Sequence, residues 1–144
     1  MKNLKIAKIQ QKLKDKEIDL LIINRTDEFL NEYIPPDAER LYWATNFSGS
    51  AGRAIICQNT SNLFVDGRYT FQAKEQIDEN AISLLHWNDF SIELSKHFDE
   101  NKCVALDPML HSIEEVNKIV ELAKEKKTKL HFTSPNLIDE LWED

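Results

Sequence analysis

The sequence predicts an α/β fold, a three-layer α-β-α sandwich whose mixed sheet is covered by helices on both faces. Three observations carry the prediction. From residue 82 onward, short apolar runs alternate with stretches of helical period, the mark of a sheet built through helical crossovers. Before that, two strands stand either side of a four-residue turn, which brings an antiparallel pair into the same sheet. The first strand, Ile18 to Ile23, is a short apolar run with β-branched residues bounded by charges, as a buried strand is. At 144 residues, 42% hydrophobic and 30% charged, the chain reads as one domain spanning 1–144, able to bury a continuous core without disulfides or a structural metal.

The elements follow in order. Leu4, Ile6, Ile9 and Leu13 fall near a helical period with polar residues between them, giving an amphipathic opening helix that ends around Lys16. After the first strand, Asp27 to Pro36 is a loop, because its Pro-Pro pair can neither donate in a ladder nor continue a helix. Asp37 caps a short helix, Ala38 to Thr45. Arg53 to Cys57 and Asn62 to Val65 form the hairpin around Gln58 to Ser61, and Tyr69 to Ile77 reads as helix. A strand at Ile82 to Leu85 then precedes a helix at Phe90 to Phe98, and a strand at Cys103 to Leu106 precedes a helix at Ile113 to Glu125. Ser112 and Glu115 make a capping box at the start of that helix, each side chain meeting a backbone N–H of the other. The last strand, Lys129 to Phe132, leads through Ser134 as N-cap and Pro135 into a terminal helix ending near Trp142.

Charge and cysteine usage narrow the function classes. A formal net charge of -7 disfavours nucleic acid and anionic membrane surfaces as partners. The lysine groups Lys8, Lys12, Lys14, Lys16 and Lys124, Lys126, Lys127, Lys129 read as solvated helix ends, where cations suit the dipole. Cys57 and Cys103 each lie in an apolar run with no CxxC or Cys/His cluster, so they read as buried free thiols of a reducing compartment. The first ten residues hold no apolar stretch of signal or membrane-span length, and a cytoplasmic location is expected.

All three glycines lie between Asn46 and Arg68, which concentrates backbone freedom there. Asn46 to Gly52, rich in small residues, allows close backbone or ligand approach and offers N–H groups to an anion; spacing alone favours a tight helix-to-strand turn. It lacks the lysine of a phosphate loop, and Ser50 sits one residue out of register for a nucleophile elbow. In Asp66-Gly67-Arg68-Tyr69, directly after a strand, Arg68 offers a planar fork suited to a carboxylate; equally, it could only pair with Asp66 or Glu39. Asp107-Pro108 reads as a strand end and turn, and His111 as a surface histidine near a helix start. His86, His97 and His131 stand equally alone, and no zinc motif appears.

Glu32-Tyr33-Ile34, Glu39-Arg40, Asn46 to Gly52, Asp66 to Tyr69 with Gln72-Ala73, Asp107-Pro108 with Leu110-His111, and Asn136-Leu137-Ile138-Asp139 with Trp142 stand in order along nearly the whole chain. Together they resemble the amino-terminal domain of aminopeptidase P enzymes, Xaa-Pro aminopeptidases of the creatinase/prolidase superfamily, metallopeptidase family M24. The resemblance implies a ribonuclease H-like α/β domain. It also implies a cytoplasmic parent enzyme, commonly a homodimer, acting on peptides with proline at the second position. There the chemistry belongs to a third, pita-bread domain holding two divalent metal ions, usually manganese. On that reading the present chain carries no catalytic residue and no metal ligand, and acts in substrate contact and assembly. Its Trp142-Glu143-Asp144 ending resembles the family's domain boundary, so the second and catalytic domains are expected to be missing. The motif match makes Arg68 the substrate-contacting residue, Asp66, Gly67 and Tyr69 its scaffold, and the Ser48, Gly49, Ser50 stretch a neighbouring wall. A second basic residue common in the family near Glu39-Arg40 is represented here by Arg40 alone.

Two readings of other classes compete. Asp66 and Asp107 at strand ends could bind divalent ions as in a metal-dependent nuclease, against which stand the acid balance and the lack of a basic groove. Tyr42, Trp43 and Trp87 could anchor a protein-interaction module, although their apolar neighbours favour a place in the core.

Overall fold

A computed structural model describes residues 4–24, 40–49, 52–107, 111–132 and 137–141. The predicted loop from Asp27 to Pro36, the Asp37 cap, Ala38, Glu39, Ser50, Ala51, residues 108–110, the Ser134-Pro135 start signal, Asn136 and Trp142 lie outside the described residues. The helices are α1 (Leu4–Asp15), α2 (Arg40–Thr45), α3 (Thr70–Gln76), α4 (Phe90–His97), α5 (Ile113–Lys126) and α6 (Leu137–Leu141). The strands are β1 (Leu20–Asn24), β2 (Gly52–Cys57), β3 (Ser61–Val65), β4 (Ser83–His86), β5 (Cys103–Leu106) and β6 (Lys129–Phe132), in the sheet order β4-β3-β2-β1-β5-β6.

The pattern of side chains across the sheet confirms the three-layer prediction. Strand residues alternate between faces. Leu21, Ile23, Ala54, Ile56, Leu63, Val65 and Ala105 pack on one face with Ile6, Ile9 and Leu13 of α1, Leu41 and Ala44 of α2, Ala73 of α3 and Ile138 of α6. Leu20, Ile22, Ile55, Phe64, Val104 and Leu106 pack on the other with Phe90 and Leu94 of α4 and Ile119 and Ala123 of α5.

The pairing is mixed in an ordered way. β2 is antiparallel to both β1 and β3, forming the predicted hairpin, whereas β3–β4, β1–β5 and β5–β6 are parallel. It follows that β1, β3, β4, β5 and β6 all point the same way and only β2 opposes them. The carboxyl ends of those strands, together with the start of β2, therefore form one edge of the sheet, the edge at which open α/β sheets place their ligands.

Several local expectations are corrected. β1 runs to Asn24 and begins at Leu20, with Ile18 serving as a buried residue before it. The helices read from Tyr69 and Phe90 are each preceded by a 3-10 turn, Gly67–Tyr69 and Trp87–Asp89. Of the aromatics assigned to the core, Trp43 is buried and Trp87 partly covered, but Tyr42 is 47% exposed. Adjacent helical residues point about 100° apart, so Tyr42 and Trp43 cannot share a face.

Candidate functional site

Arg68 stands at the carboxyl edge, just beyond β3. Asp66 caps the 3-10 turn, its Oδ1 accepting from the Arg68 backbone N–H at 2.9 Å and from Arg68 Nε at 3.2 Å. Those two bonds, the backbone one foremost, hold the Asp66 carboxyl below its ordinary pKa. The arginine side chain is nevertheless 74% exposed, its guanidinium 5.4 Å from the Tyr69 ring centroid. Arg68 thus pairs with Asp66 through Nε while most of its side chain is exposed to solvent.

The Asn46 loop is joined to this turn. Asn46 closes α2 in the left-handed conformation, φ 67°, and its N–H donates to the Tyr42 carbonyl at 2.7 Å. Phe47 then plunges into the core and meets Tyr69 edge-on, centroids 6.1 Å apart. Gly49 is needed because a Cβ there would lie 2.2 Å from Phe47 Cζ. Ser48 faces α3: its N–H donates to Gln76 Oε1 at 3.0 Å, and its Oγ accepts from Gln76 Nε2 at 2.7 Å and Gln72 Nε2 at 3.2 Å. Ser48 thus packs on α3, the helix that follows the Arg68 turn, while Phe47 meets Tyr69 of that turn. The Ser48 N–H, already committed to Gln76, is not an anion donor. Ser50 lies outside the described residues.

A second constellation went unread in the sequence. Arg53, at the start of β2, donates to Glu115 Oε2 at 2.9 Å and lies over the rings of Trp87 and Phe90, 4.6 and 4.8 Å from their centroids. Glu115 also takes Asn24 Nδ2 at 2.7 Å and is in hydrogen-bond contact with His111 Nδ1, which itself lies 2.7 Å from Asn24 Nδ2. Burial raises the Glu115 pKa, but the His111 hydrogen bond, the Arg53 charge and the Asn24 hydrogen bond outweigh it and leave the value at about 2. His111 is buried, which corrects its reading as a surface histidine. The capping box is half formed: Ser112 Oγ accepts the Glu115 N–H at 3.1 Å, while the Glu115 carboxylate is spent on the cluster. The only short-range sign of the cluster was His111 four residues before Glu115; the β1–β2 register sets Asn24 opposite Arg53, and the β1–β5 pairing brings Asn24 to His111 and Glu115.

Arg40 is also buried, gripping Asp139 of α6 through Nε at 2.8 Å and Nη2 at 2.9 Å, so it ties α2 to α6. At the opposite edge Cys57 and Cys103 are partly buried free thiols, both with pKa values raised by burial. Among the described residues no three His, Cys, Asp or Glu side chains stand together to hold a metal ion, and Asp66 and Asp107 form no such site. Among the same residues no helix is long and apolar enough to cross a membrane.

The whole of this arrangement, residues 5–141, matches the family model for the creatinase/prolidase N-terminal domain. The chain belongs to that family. Within it, a probable Xaa-Pro aminopeptidase P from Coccidioides posadasii is 31% identical over 145 residues, covering 96% of this chain and 23% of that protein. A Penicillium rubens protein of the same description is 30% identical with the same coverage. This creatinase/prolidase N-terminal domain thus spans less than a quarter of the length of those relatives. Among solved structures, the X-prolyl aminopeptidase of Caenorhabditis elegans, a cytosolic enzyme with a di-nuclear active site, superposes with a TM-score of 0.90 at 24% identity, over 100% of this chain and 26% of that one. The N-terminal domain of the cytoplasmic peptidase PepQ from Mycobacterium tuberculosis gives 0.72 at 17% identity, covering 98% of this chain and 100% of that one. At these identities the structures show the shared fold.

Proposed function

We propose that this chain is the amino-terminal, non-catalytic domain of a cytoplasmic, homodimeric Xaa-Pro aminopeptidase, in which Arg68 holds the peptide substrate beside an active centre that other domains supply. The names of the relatives support the enzyme class. The observation that carries the role of this domain is the Arg68 turn. Asp66 fixes the backbone and Nε, Tyr69 lies along the guanidinium, and three-quarters of the side chain stays in water at the carboxyl edge. An arginine so placed keeps donors free for a carbonyl or carboxylate of a peptide, and its planar fork sets the angle of approach.

In such an enzyme two divalent cations, manganese in our reading, supply Lewis acidity and an activated water. In this reading those ions are held elsewhere in the polypeptide, and the part played by this domain is binding and orientation. Asp66, Gly67 and Tyr69 act as the scaffold of Arg68, and Ser48 to Ser50 as the wall next to it.

The test uses the full-length enzyme. Arg68→Ala should lower kcat/KM on Xaa-Pro peptides by about 10- to 100-fold, the loss of a charge-assisted hydrogen bond, with metal content unchanged. Arg68→Lys, which keeps the charge but not the fork, should recover only part. Undiminished activity in Arg68→Ala would remove the assignment. Hydrolysis of prolyl peptides by residues 1–144 alone, with manganese present, would end the division of labour.

A further inference from the structure

The three glycines of the chain do not share one cause. None has a positive φ, so the backbone conformation demands glycine at none of them. Packing demands it at two: a Cβ on Gly49 would lie 2.2 Å from Phe47 Cζ, and one on Gly52 would lie 2.9 Å from Leu41 Cδ2. Gly67 is different. It is exposed, and among the described residues a Cβ there would come within 4 Å of His86 Nε2 alone, at 3.7 Å, an ordinary van der Waals contact. The 3-10 turn does use this residue, since the Gly67 carbonyl accepts the Thr70 N–H while the Asp66 carboxylate accepts the N–H of Arg68. Both bonds are made by groups that any residue at position 67 would leave in place. Glycine costs a folded chain more backbone entropy than alanine does, so its bareness here calls for a reason outside the packing of the described residues.

His86 supplies the neighbour. It ends β4 and pairs in register with Val65, the last residue of β3, so its ring stands beside the turn that begins at Asp66. The Asn88 backbone N–H donates to His86 Nδ1 at 3.1 Å. A neutral imidazole whose Nδ1 accepts carries its proton on Nε2, and Nε2 is the atom that faces the bare side of Gly67. The next residue along the turn is Arg68, its side chain 74% exposed. A strip of uncovered backbone is thus flanked by an N–H donor and a guanidinium, both suited to acceptor oxygens. We propose that this strip over Gly67 is the seat of the main chain of the peptide substrate, with the His86 Nε2–H as a second donor to one of its carbonyl oxygens. The inference rests on the reading that Arg68 meets the substrate, and adds to it the residue that admits the chain and the one that aligns it. A methyl group at position 67 would raise the floor by about 1.5 Å, enough to lift a carbonyl out of hydrogen-bond reach.

Steady-state kinetics and urea denaturation of the full-length enzyme test this together. Gly67→Ala should raise KM for Xaa-Pro peptides about 10-fold, the loss of one hydrogen bond, with kcat and metal content held. Its urea midpoint should equal or exceed that of wild type. His86→Ala should raise KM by a similar factor, and His86→Gln, which keeps an N–H donor, should recover part of the loss. A lowered urea midpoint in Gly67→Ala would show that the fold itself needs the glycine and would overturn the proposal. An unchanged KM in Gly67→Ala or in His86→Ala would overturn it equally. The double variant Gly67→Ala, Arg68→Ala separates a contact at the strip from a displaced arginine. Losses that multiply support the proposal, whereas a double variant no worse than Arg68→Ala alone would sink it. An enzyme impaired by Gly67→Ala yet indifferent to Arg68→Ala would lose the arginine assignment only, and the reverse pattern would lose the strip only.

Discussion

Two arginines at the same edge of the sheet are put to opposite uses. Arg53 is 24% exposed, ion-paired to Glu115 and covered by the rings of Trp87 and Phe90. Arg68 is 74% exposed, with Asp66 two residues away as its carboxylate and Tyr69 as its ring. A cation that is desolvated must be matched in place, so the charge of Arg53 is consumed by the fold. A cation left in water costs the fold little and keeps its donors for something that arrives later. The contrast separates structural from available charge more clearly than sequence position does.

The largest effect is expected where that matching is broken. Arg53→Ala leaves the Glu115 carboxylate among Asn24 and His111 without its cation, and should cost about 3 kcal/mol in urea denaturation. A loss below 1 kcal/mol would show that the pair is idle and would erase the contrast.

The pH dependence probes the same cluster from the carboxylate. The Glu115 pKa falls from its ordinary 4.5 to about 2 on folding, so the folded state favours the ionised form. Its contribution is complete above pH 4.5 and is lost as pH falls from there toward 2, about 3 kcal/mol over the window. Acid titration of stability should show this slope in the wild type and a flattened one in Glu115→Gln. Parallel curves would mean that Glu115 is not the titrating group.

The alternation of strand and helix was legible because it is local: β-branched runs, the Ser112 cap and the Gln58 to Ser61 turn each act over a few residues. The Arg68 motif was legible for the same reason, since Asp66, Gly67, Arg68 and Tyr69 build their own turn. The Arg53 cluster was not. His111 was read from its neighbours as a surface residue, yet its partner Asn24 lies 87 positions away and arrives only through the β1–β5 pairing. Glu115 fitted a capping box, but a carboxylate beside a buried histidine and an arginine gains more from them than from an exposed helix start. Apolar neighbours in sequence were also a poor guide to burial, as Tyr42 and Trp43 show, because a helix separates adjacent residues onto different sides.

A smaller effect is expected from Gly49→Ala, which sharpens the other half of the comparison. The new methyl would meet Phe47 Cζ at 2.2 Å, so the ring must shift from its seat against Tyr69. Overpacking of this kind costs about 1–3 kcal/mol. It should also loosen the support of Arg68, so in full-length enzyme KM should rise with metal content unchanged. If stability falls while KM holds, the Phe47–Tyr69 contact serves the core and not the guanidinium.

The smallest stability change belongs to Arg68→Ala itself. Its ion pair is exposed and spans two residues, and exposed pairs contribute little to stability. Asp66 keeps its bond to the backbone N–H of residue 68 whatever the side chain, so the 3-10 turn should persist. Urea midpoints of Arg68→Ala and wild type should therefore agree to within about 0.5 kcal/mol, even as kcat/KM falls. A stability loss as large as that of Arg53→Ala would place Arg68 among the groups the fold consumes, and any accompanying fall in activity would then report on folding and not on substrate.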